Sequence, residues 1–299
     1  RLRTLDELRE RFERPGGFIL VPGEEVTDRY RLAEVHINAL NIESMIEPQR
    51  GGSVQETIQN NLDAITEHGR ATGRPVIAHV NHPNFRKSLG ATNLAEMKGQ
   101  RFFEVYNGHR SVENERIGSR PSTEELWDRA LVMRLFEGAG DGGILYGLAT
   151  DDAHDHYTNG VVSIPGRGWI MVRSDRLESD AIIEAMKRGD FYASSGVTLE
   201  DVVFEDGALT VEIDAEDGVH YFTEFIGCRA GDGIHPVPGQ RLLVTDANPA
   251  VYEMTGDELY VRARVTSSRL HPRPYADGDL EMAWVQPVRP RAGRALAPV

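Results

Sequence analysis

Ile144-Leu-Tyr-Gly-Leu-Ala-Thr-Asp151-Asp152-Ala-His154-Asp-His156 joins an apolar run directly to a knot of acids and histidines. The run is apolar throughout, as strands buried on both faces tend to be. The knot that follows it is costly to desolvate unless a cation compensates it. On an extended segment Asp152 and His154 point the same way, so an Asp-x-His pair can hold one metal. A solvated, Asp-rich loop is the plainer alternative, and the position immediately after a buried strand favours ligation.

Similar short apolar runs recur on either side, at Phe18–Val21, Val35–Leu40, Pro75–His79, Phe102–Val105, Trp169–Val172 and Phe191–Ala193. Longer amphipathic stretches separate them, and this alternation predicts a β/α architecture with parallel strands. Ser53 with Glu56 and Ser122 with Glu125 mark helix starts as capping boxes. A helix over about Asp180–Arg188 is expected to stop at Gly189 in a left-handed cap. From Gly196 onward the helical period gives way to alternating runs such as Leu209–Ile213 and Leu259–Val265 between turn residues. The expected division is therefore a domain over 1–196 that carries the chemistry and a β-rich, sandwich-like domain over 197–299, frayed from about Arg289 onward.

Ten histidines are present, and His36, His79, His82, His109, His154 and His156 all fall at or just after the expected strands of the first domain. In parallel β/α folds the loops after the strand ends converge on one face, which is where sites are built. In Pro75-Val-Ile-Ala-His79-Val-Asn-His82-Pro83, Pro83 is expected to hold the chain extended just after His82 and so fix that imidazole. His79 reads equally well as a satisfied core histidine. In Val21-Pro-Gly23-Glu24-Glu25, Gly23 is read as permitting a turn that swings a carboxylate into place. Glu104 ends another apolar run, with Asn107 and His109 following on a loop where they can meet substrate. His68, His220, His235 and His271 lack ligand spacing and read as ordinary histidines.

The net charge of −14 and the pI near 5.2 argue against a basic face for nucleic acid or an anionic membrane. Cys228 is the only cysteine, which excludes an intrachain disulfide and a thiolate-rich zinc site. A metal held by nitrogen and oxygen ligands stays open. The sequence opens on Arg1 rather than Met, so the compartment is undetermined; the cytoplasm is slightly favoured and a removed leader is allowed for.

Several segments in this order resemble the PHP (polymerase and histidinol phosphatase) superfamily, and within it the carbaryl-hydrolase-like branch: Val-Pro-Gly-Glu-Glu-Val-Thr (21–27), His-Ile-Asn-Ala-Leu (36–40), Ala-His-Val-Asn-His-Pro-Asn-Phe (78–85), Glu-Val-Tyr-Asn-Gly-His (104–109), Leu-Trp-Asp (126–128), Ala-Thr-Asp-Asp-Ala-His (149–154), Gly-Trp-Ile-Met-Val-Arg (168–173) and Phe-Tyr-Ala-Ser-Ser-Gly-Val (191–197). Tyr-Val-Arg-Ala-Arg-Val (260–265) and Ala-Trp-Val-Gln-Pro-Val (283–288) resemble its C-terminal β part. The resemblance implies a distorted β/α barrel with up to three divalent metals, commonly zinc, manganese or iron. It implies Glu25 as a bridging carboxylate, His36 and His82 as imidazole ligands, and Asp152 with His154 as the final ligand pair.

The family's early His-x-His and Thr-Asp-His motifs have no counterpart in residues 1–299. Because Thr4–Phe12 resembles the helix that follows them, the sequence is expected to begin shortly after them. The first strands of the barrel are then missing, and upstream residues are expected to complete the metal site. The function expected is hydrolysis of a small-molecule phosphoester, carbamate or carboxylic ester by a metal-bound hydroxide. His109 or His156 is the expected proton donor, with His79, Glu104 and Asn107 near the substrate. The alternative is a non-catalytic scaffold whose β-rich end binds a partner or glycan.

Overall fold

A computed structural model describes residues 3–156, 161–230 and 235–290. The tail expected to fray lies, from residue 291 on, outside the described residues. The first sheet holds β1 (Gly23–Tyr30), β2 (Ala33–Leu40), β3 (Ile77–Val80), β4 (Phe102–Asn107) and β5 (Tyr146–Thr150), in that spatial order. β1, β2 and β3 run antiparallel in succession, and β3, β4 and β5 are parallel.

One face of this sheet buries Val26, Val35, Ile37, Val80, Phe103 and Val105 in a single cluster with apolar residues of two helices. Of the helices α1 (Leu5–Phe12), α2 (Val54–Thr72), α3 (Ala91–Ala95) and α4 (Thr123–Leu135), α2 supplies Ile58, Leu62 and Ile65 and α4 supplies Leu126, Trp127 and Leu131. The opposite face divides along the strands. Toward one end Ile77, Phe102, Tyr146 and Leu148 pack with Phe191 and with Ile183 and Met186 of α5 (Ser179–Arg188). Two residues further along each strand, hence on the same side of the pleat, come His79, Glu104 and Thr150. β2 runs the other way and matches them: Leu40 joins the apolar end, and Asn38 and His36 lie at the polar end.

A second sheet has the order β11-β10-β13-β14-β7-β6, formed by β6 (Trp169–Val172), β7 (Phe191–Ser194), β10 (Tyr221–Arg229), β11 (Gln240–Thr245), β13 (Glu258–Leu270) and β14 (Leu280–Val288). A third, β12-β9-β8, contains β8 (Leu199–Glu205), β9 (Ala208–Ile213) and β12 (Ala250–Glu253). Leu209, Val211 and Ile213 of the third meet Phe225, Val261, Ala263 and Val285 of the second in one apolar cluster.

The first and second sheets are tied by side chains. The Gln286 carboxamide exchanges two hydrogen bonds with the Gly147 backbone, donating to its oxygen at 2.8 Å and accepting from its nitrogen at 2.9 Å. It thereby satisfies part of the β5 edge. Gly147 lets the ring of Trp127 pack close to the strand, where a Cβ would lie 3.0 Å from it and push it aside. Deeper in the join, Asp128 on α4 receives a two-pronged guanidinium from Arg262 on β13, at 2.8 and 2.7 Å.

These sheets correct the expected distorted β/α barrel with missing first strands: among the described residues the strands form three sheets and none closes into a barrel. Apolar periodicity locates strands but does not distinguish a parallel from an antiparallel partner. Trp169–Val172 and Phe191–Ser194 are indeed strands, yet they pair antiparallel with each other and belong to the second sheet through β14. Phe18–Val21 is not a strand beyond an isolated bridge from Phe18 to Arg14. The strand begins instead at Gly23, where the core-facing positions are Val26 and Asp28. Asp28 is concealed from a hydrophobicity pattern because its burial is compensated by bonds from Arg50 and Asn61. Gly23 makes no turn: its place is a close approach, where a Cβ would lie 2.8 Å from the Ala39 oxygen.

The caps follow the sequence more closely. Ser122 and Glu125 form a reciprocal box, and Gly189 ends α5 at φ +84°. Ser53 caps α2, but the Glu56 carboxylate bonds the Gly52 amide rather than that of Ser53.

Candidate metal centre

The β1–β2 hairpin brings two of the expected ligands together. Its register sets Glu25 opposite Asn38 and Thr27 opposite His36, all on the polar side of the sheet. His36 Nδ1 lies 2.9 Å from Glu25 Oε1. His82, just beyond β3, presents Nε2 to the same oxygen at 3.7 Å. Glu25, His36 and His82 thus offer donor atoms that all lie within 4.8 Å of one another. The Asp152 Oδ2 atom also approaches His82, 4.0 Å from Nε2.

His82 is not held extended as the Pro83 argument predicts; its φ is +20°. Two backbone bonds outweigh the pre-proline preference, one from the His82 amide to Glu104 Oε2 and one from the Phe85 amide to the His82 oxygen, both 2.8 Å. Asp152 also sits at positive φ, +46°. Such conformations persist where surrounding contacts over-determine them, and they concentrate at functional sites.

Neighbours orient the donors. Asn81 Nδ2 donates to Glu25 Oε1 at 2.9 Å. Behind His36, Glu34 places Oε2 3.7 Å from Nε2 and takes an Arg86 guanidinium on its other oxygen at 2.9 Å. His36 Nε2 is buried and makes no hydrogen bond at that distance. A carboxylate behind the far nitrogen of an imidazole is the arrangement that sets a ligating histidine's tautomer and basicity.

Electrostatics follows the same geometry. Hydrogen bonds from His36 and His82 hold the Glu25 carboxyl far below the ordinary carboxylate range, against burial. Burial opposes the charged form of His82, but the Glu25 bond and the fields of Glu104 and Asp152 raise its pKa overall. Burial, then repulsion from Glu104, raises that of Asp152. Three carboxylates therefore converge on one imidazole, an environment that draws in positive charge.

Beneath this group lie the residues expected to meet substrate. His79, Glu104 and Asn107 are only 3%, 1% and 1% exposed. Their polar atoms bond one another and His82 and Asp152. Glu104 Oε1 receives Thr150 Oγ1 at 2.9 Å and lies 3.3 Å from His79 Nε2, which also meets Asn38. Asn107 Nδ2 bridges Glu104 at 2.8 Å and Asp152 at 3.3 Å. Burial works against the Glu104 charge, and bonds and fields from His79 and His82 still lower its pKa.

His154 reaches the Asp152 carboxylate, with Nδ1 3.6 Å from Oδ1, but is not among the residues whose donor atoms gather around Glu25. Its Nδ1 is taken by the Asp152 backbone oxygen at 2.9 Å and the Ser163 hydroxyl at 3.1 Å, and the side chain is 66% exposed. His109 stands edge-on to His154 with ring centres 5.6 Å apart. His156 is exposed on the irregular segment after β5. Asn38, Asn81 and Glu34 escaped the sequence reading. The period-2 alternation of β2, which puts Glu34, His36 and Asn38 on one face, was the signal that reveals two of them.

No family model, curated protein or solved structure matches the chain.

Proposed function

We propose that this chain is a divalent-metal-dependent hydrolase whose metal is held by Glu25, His36 and His82, with Asp152 beside them, and whose substrate is a phosphoester, carbamate or carboxylic ester. One observation carries the reading: imidazole nitrogens of His36 and His82 face a single oxygen of Glu25, and a second carboxylate, Asp152, lies 4.0 Å from His82 Nε2. The resemblance to PHP hydrolases gives the same three residues the same role.

The donor set fits the group. Two imidazoles and a carboxylate suit zinc, manganese or iron, and a His36 ring that used Nδ1 for an ion would carry its proton on Nε2, which faces Glu34 Oε2 at 3.7 Å. A divalent ion bound there supplies Lewis acidity and lowers the pKa of a coordinated water toward about 7. The chain's own residues prepare the place. Asn81 fixes the rotation of Glu25, and Glu104 fixes His82 through its amide. Asn107 ties Asp152 to Glu104, so the ligands are held before any ion arrives.

The test is metal analysis of the purified chain together with a panel of phosphoesters, carbamates and esters, with and without chelator. The proposal expects bound metal and chelator-sensitive turnover, both falling in Asp152→Asn while metal-free stability changes little. Normal metal content and turnover in Asp152→Asn removes that residue from the site. A wild-type chain that takes up no metal sinks the reading as a whole.

A further inference from the structure

The loop after β4 decides which hydrogen of His109 faces the candidate site. The Ser111 backbone N–H donates to His109 Nδ1 at 3.0 Å. A ring nitrogen that accepts a hydrogen bond carries no proton, so the proton of the neutral imidazole resides on Nε2. Protonating Nδ1 would set two hydrogens against each other across that distance. The loop leaves little freedom to escape this. The His109 amide donates to Asn107 Oδ1 at 2.9 Å, the Val112 amide to the His109 oxygen at 2.9 Å, and the Gly108 amide to the Thr150 oxygen at 2.8 Å.

The Asn107 amide is itself fixed, because Nδ2 serves the carboxylates of Glu104 and Asp152 and only Oδ1 is left for His109. Among the described residues the Nε2–H of His109 has no acceptor. Its ring is half-buried and stands against His154 on the Asp152 side of the site.

We infer that His109 serves this site as a hydrogen-bond donor, its Nε2–H contacting a negatively charged oxygen of the bound substrate or product, and does not ligate metal. Ligation needs the Nε2 lone pair, and the proton placed there by Ser111 occupies it. The inference deepens the hydrolase reading and rests on it. It also separates the two histidines that the sequence left level as donors, since no such anchoring of His156 is found among the described residues. A donor so placed recognises a tetrahedral oxyanion such as phosphate, and it gains strength as charge develops on the oxygen.

The experiment is long-range proton–nitrogen NMR of the full chain with 15N-labelled histidine, His109 being assigned by the signals lost in His109→Phe. Spectra are recorded without metal, after Zn²⁺, and during titration with inorganic phosphate. The expected result is an Nε2–H tautomer of His109 before and after zinc, while zinc moves the His36 and His82 nitrogens. Phosphate affinity of the zinc-loaded chain should fall on the order of tenfold in His109→Phe, with zinc affinity unchanged. Partial recovery in His109→Gln is expected, since that side chain keeps an N–H donor. An Nδ1–H tautomer, a coordination shift at His109 Nε2 on adding zinc, or phosphate binding indifferent to His109→Phe overturns the inference. Unmoved His36 and His82 signals sink the metal reading and the donor role with it, a failure distinguishable because the tautomer is read in the metal-free spectrum.

Discussion

Replacing Asp128 with alanine tests the join between the first sheet's helical layer and the second sheet. Asp128 accepts hydrogen bonds from Arg262 Nε and Nη2 at 2.8 and 2.7 Å and from the Tyr260 hydroxyl at 2.8 Å. Arg262 is 1% exposed and stacks over Trp127, 4.9 Å from the ring centre. Its other carboxylate is Glu124 at 2.9 Å, which is shared with Arg264 and with the Trp284 indole. In Asp128→Ala the guanidinium stays buried with only this divided partner. Removing one member of a buried ion pair costs about 3–5 kcal/mol, and the surviving Glu124 bond places the expected loss near the lower end, about 3 kcal/mol. Urea unfolding followed by tryptophan fluorescence reads it, since Trp127 and Trp284 both lie at the join. The control is Asp128→Leu with Arg262→Met, which removes both charges and should recover most of the loss. A single variant that loses less than about 1 kcal/mol, or a double variant no more stable than the single, refutes the reasoning.

Burial opposes the Glu124 charge, yet Arg262 and Arg264 bring its pKa from 4.5 down to about 2. A depressed folded-state pKa stabilises fully above about pH 4.5, and this stabilisation is lost as pH falls toward 2; Glu124→Gln should therefore flatten the fall in urea midpoint between pH 5 and 3, and an unchanged fall contradicts the assignment. Gln286→Leu strips the Gly147 backbone of both its side-chain bonds and should cost about 2 kcal/mol, with faster hydrogen exchange at the Gly147 amide as the local readout. Glu34→Gln removes the negative charge behind His36 and should weaken zinc binding about tenfold to a hundredfold; unaltered affinity means Glu34 does not tune that imidazole.

Much of the candidate site was legible because its residues sit where pattern changes character. His36 interrupts an apolar alternation, and His82 and Asp152 follow apolar runs directly, so Glu25, His36, His82 and Asp152 were recognisable as a group before their distances were known. The topology was not legible in the same way. A buried strand reads alike whether its neighbour is parallel or antiparallel, and this hid both the β1–β2 hairpin and the transfer of β6 and β7 to the second sheet. Asp28 shows the other blind spot, a core position filled by a carboxylate whose partners, Arg50 and Asn61, lie on later segments. The Leu-Trp-Asp and Tyr-Val-Arg-Ala-Arg-Val segments stood out in sequence without showing their purpose. In the fold they meet, Asp128 against Arg262, and secure the join between the helix and the second sheet.

The central claim is that Glu25, His36 and His82 hold a divalent ion. Calorimetric titration of the chelator-treated chain with Zn²⁺, run in parallel on wild type and Glu25→Gln, tests it most directly, because glutamine keeps the size of the side chain and removes only its charge. Saturable binding by the wild type, weakened by more than about a hundredfold in the variant, is the predicted result. Equal affinity in the two proteins, or no saturable binding by the wild type, contradicts the account.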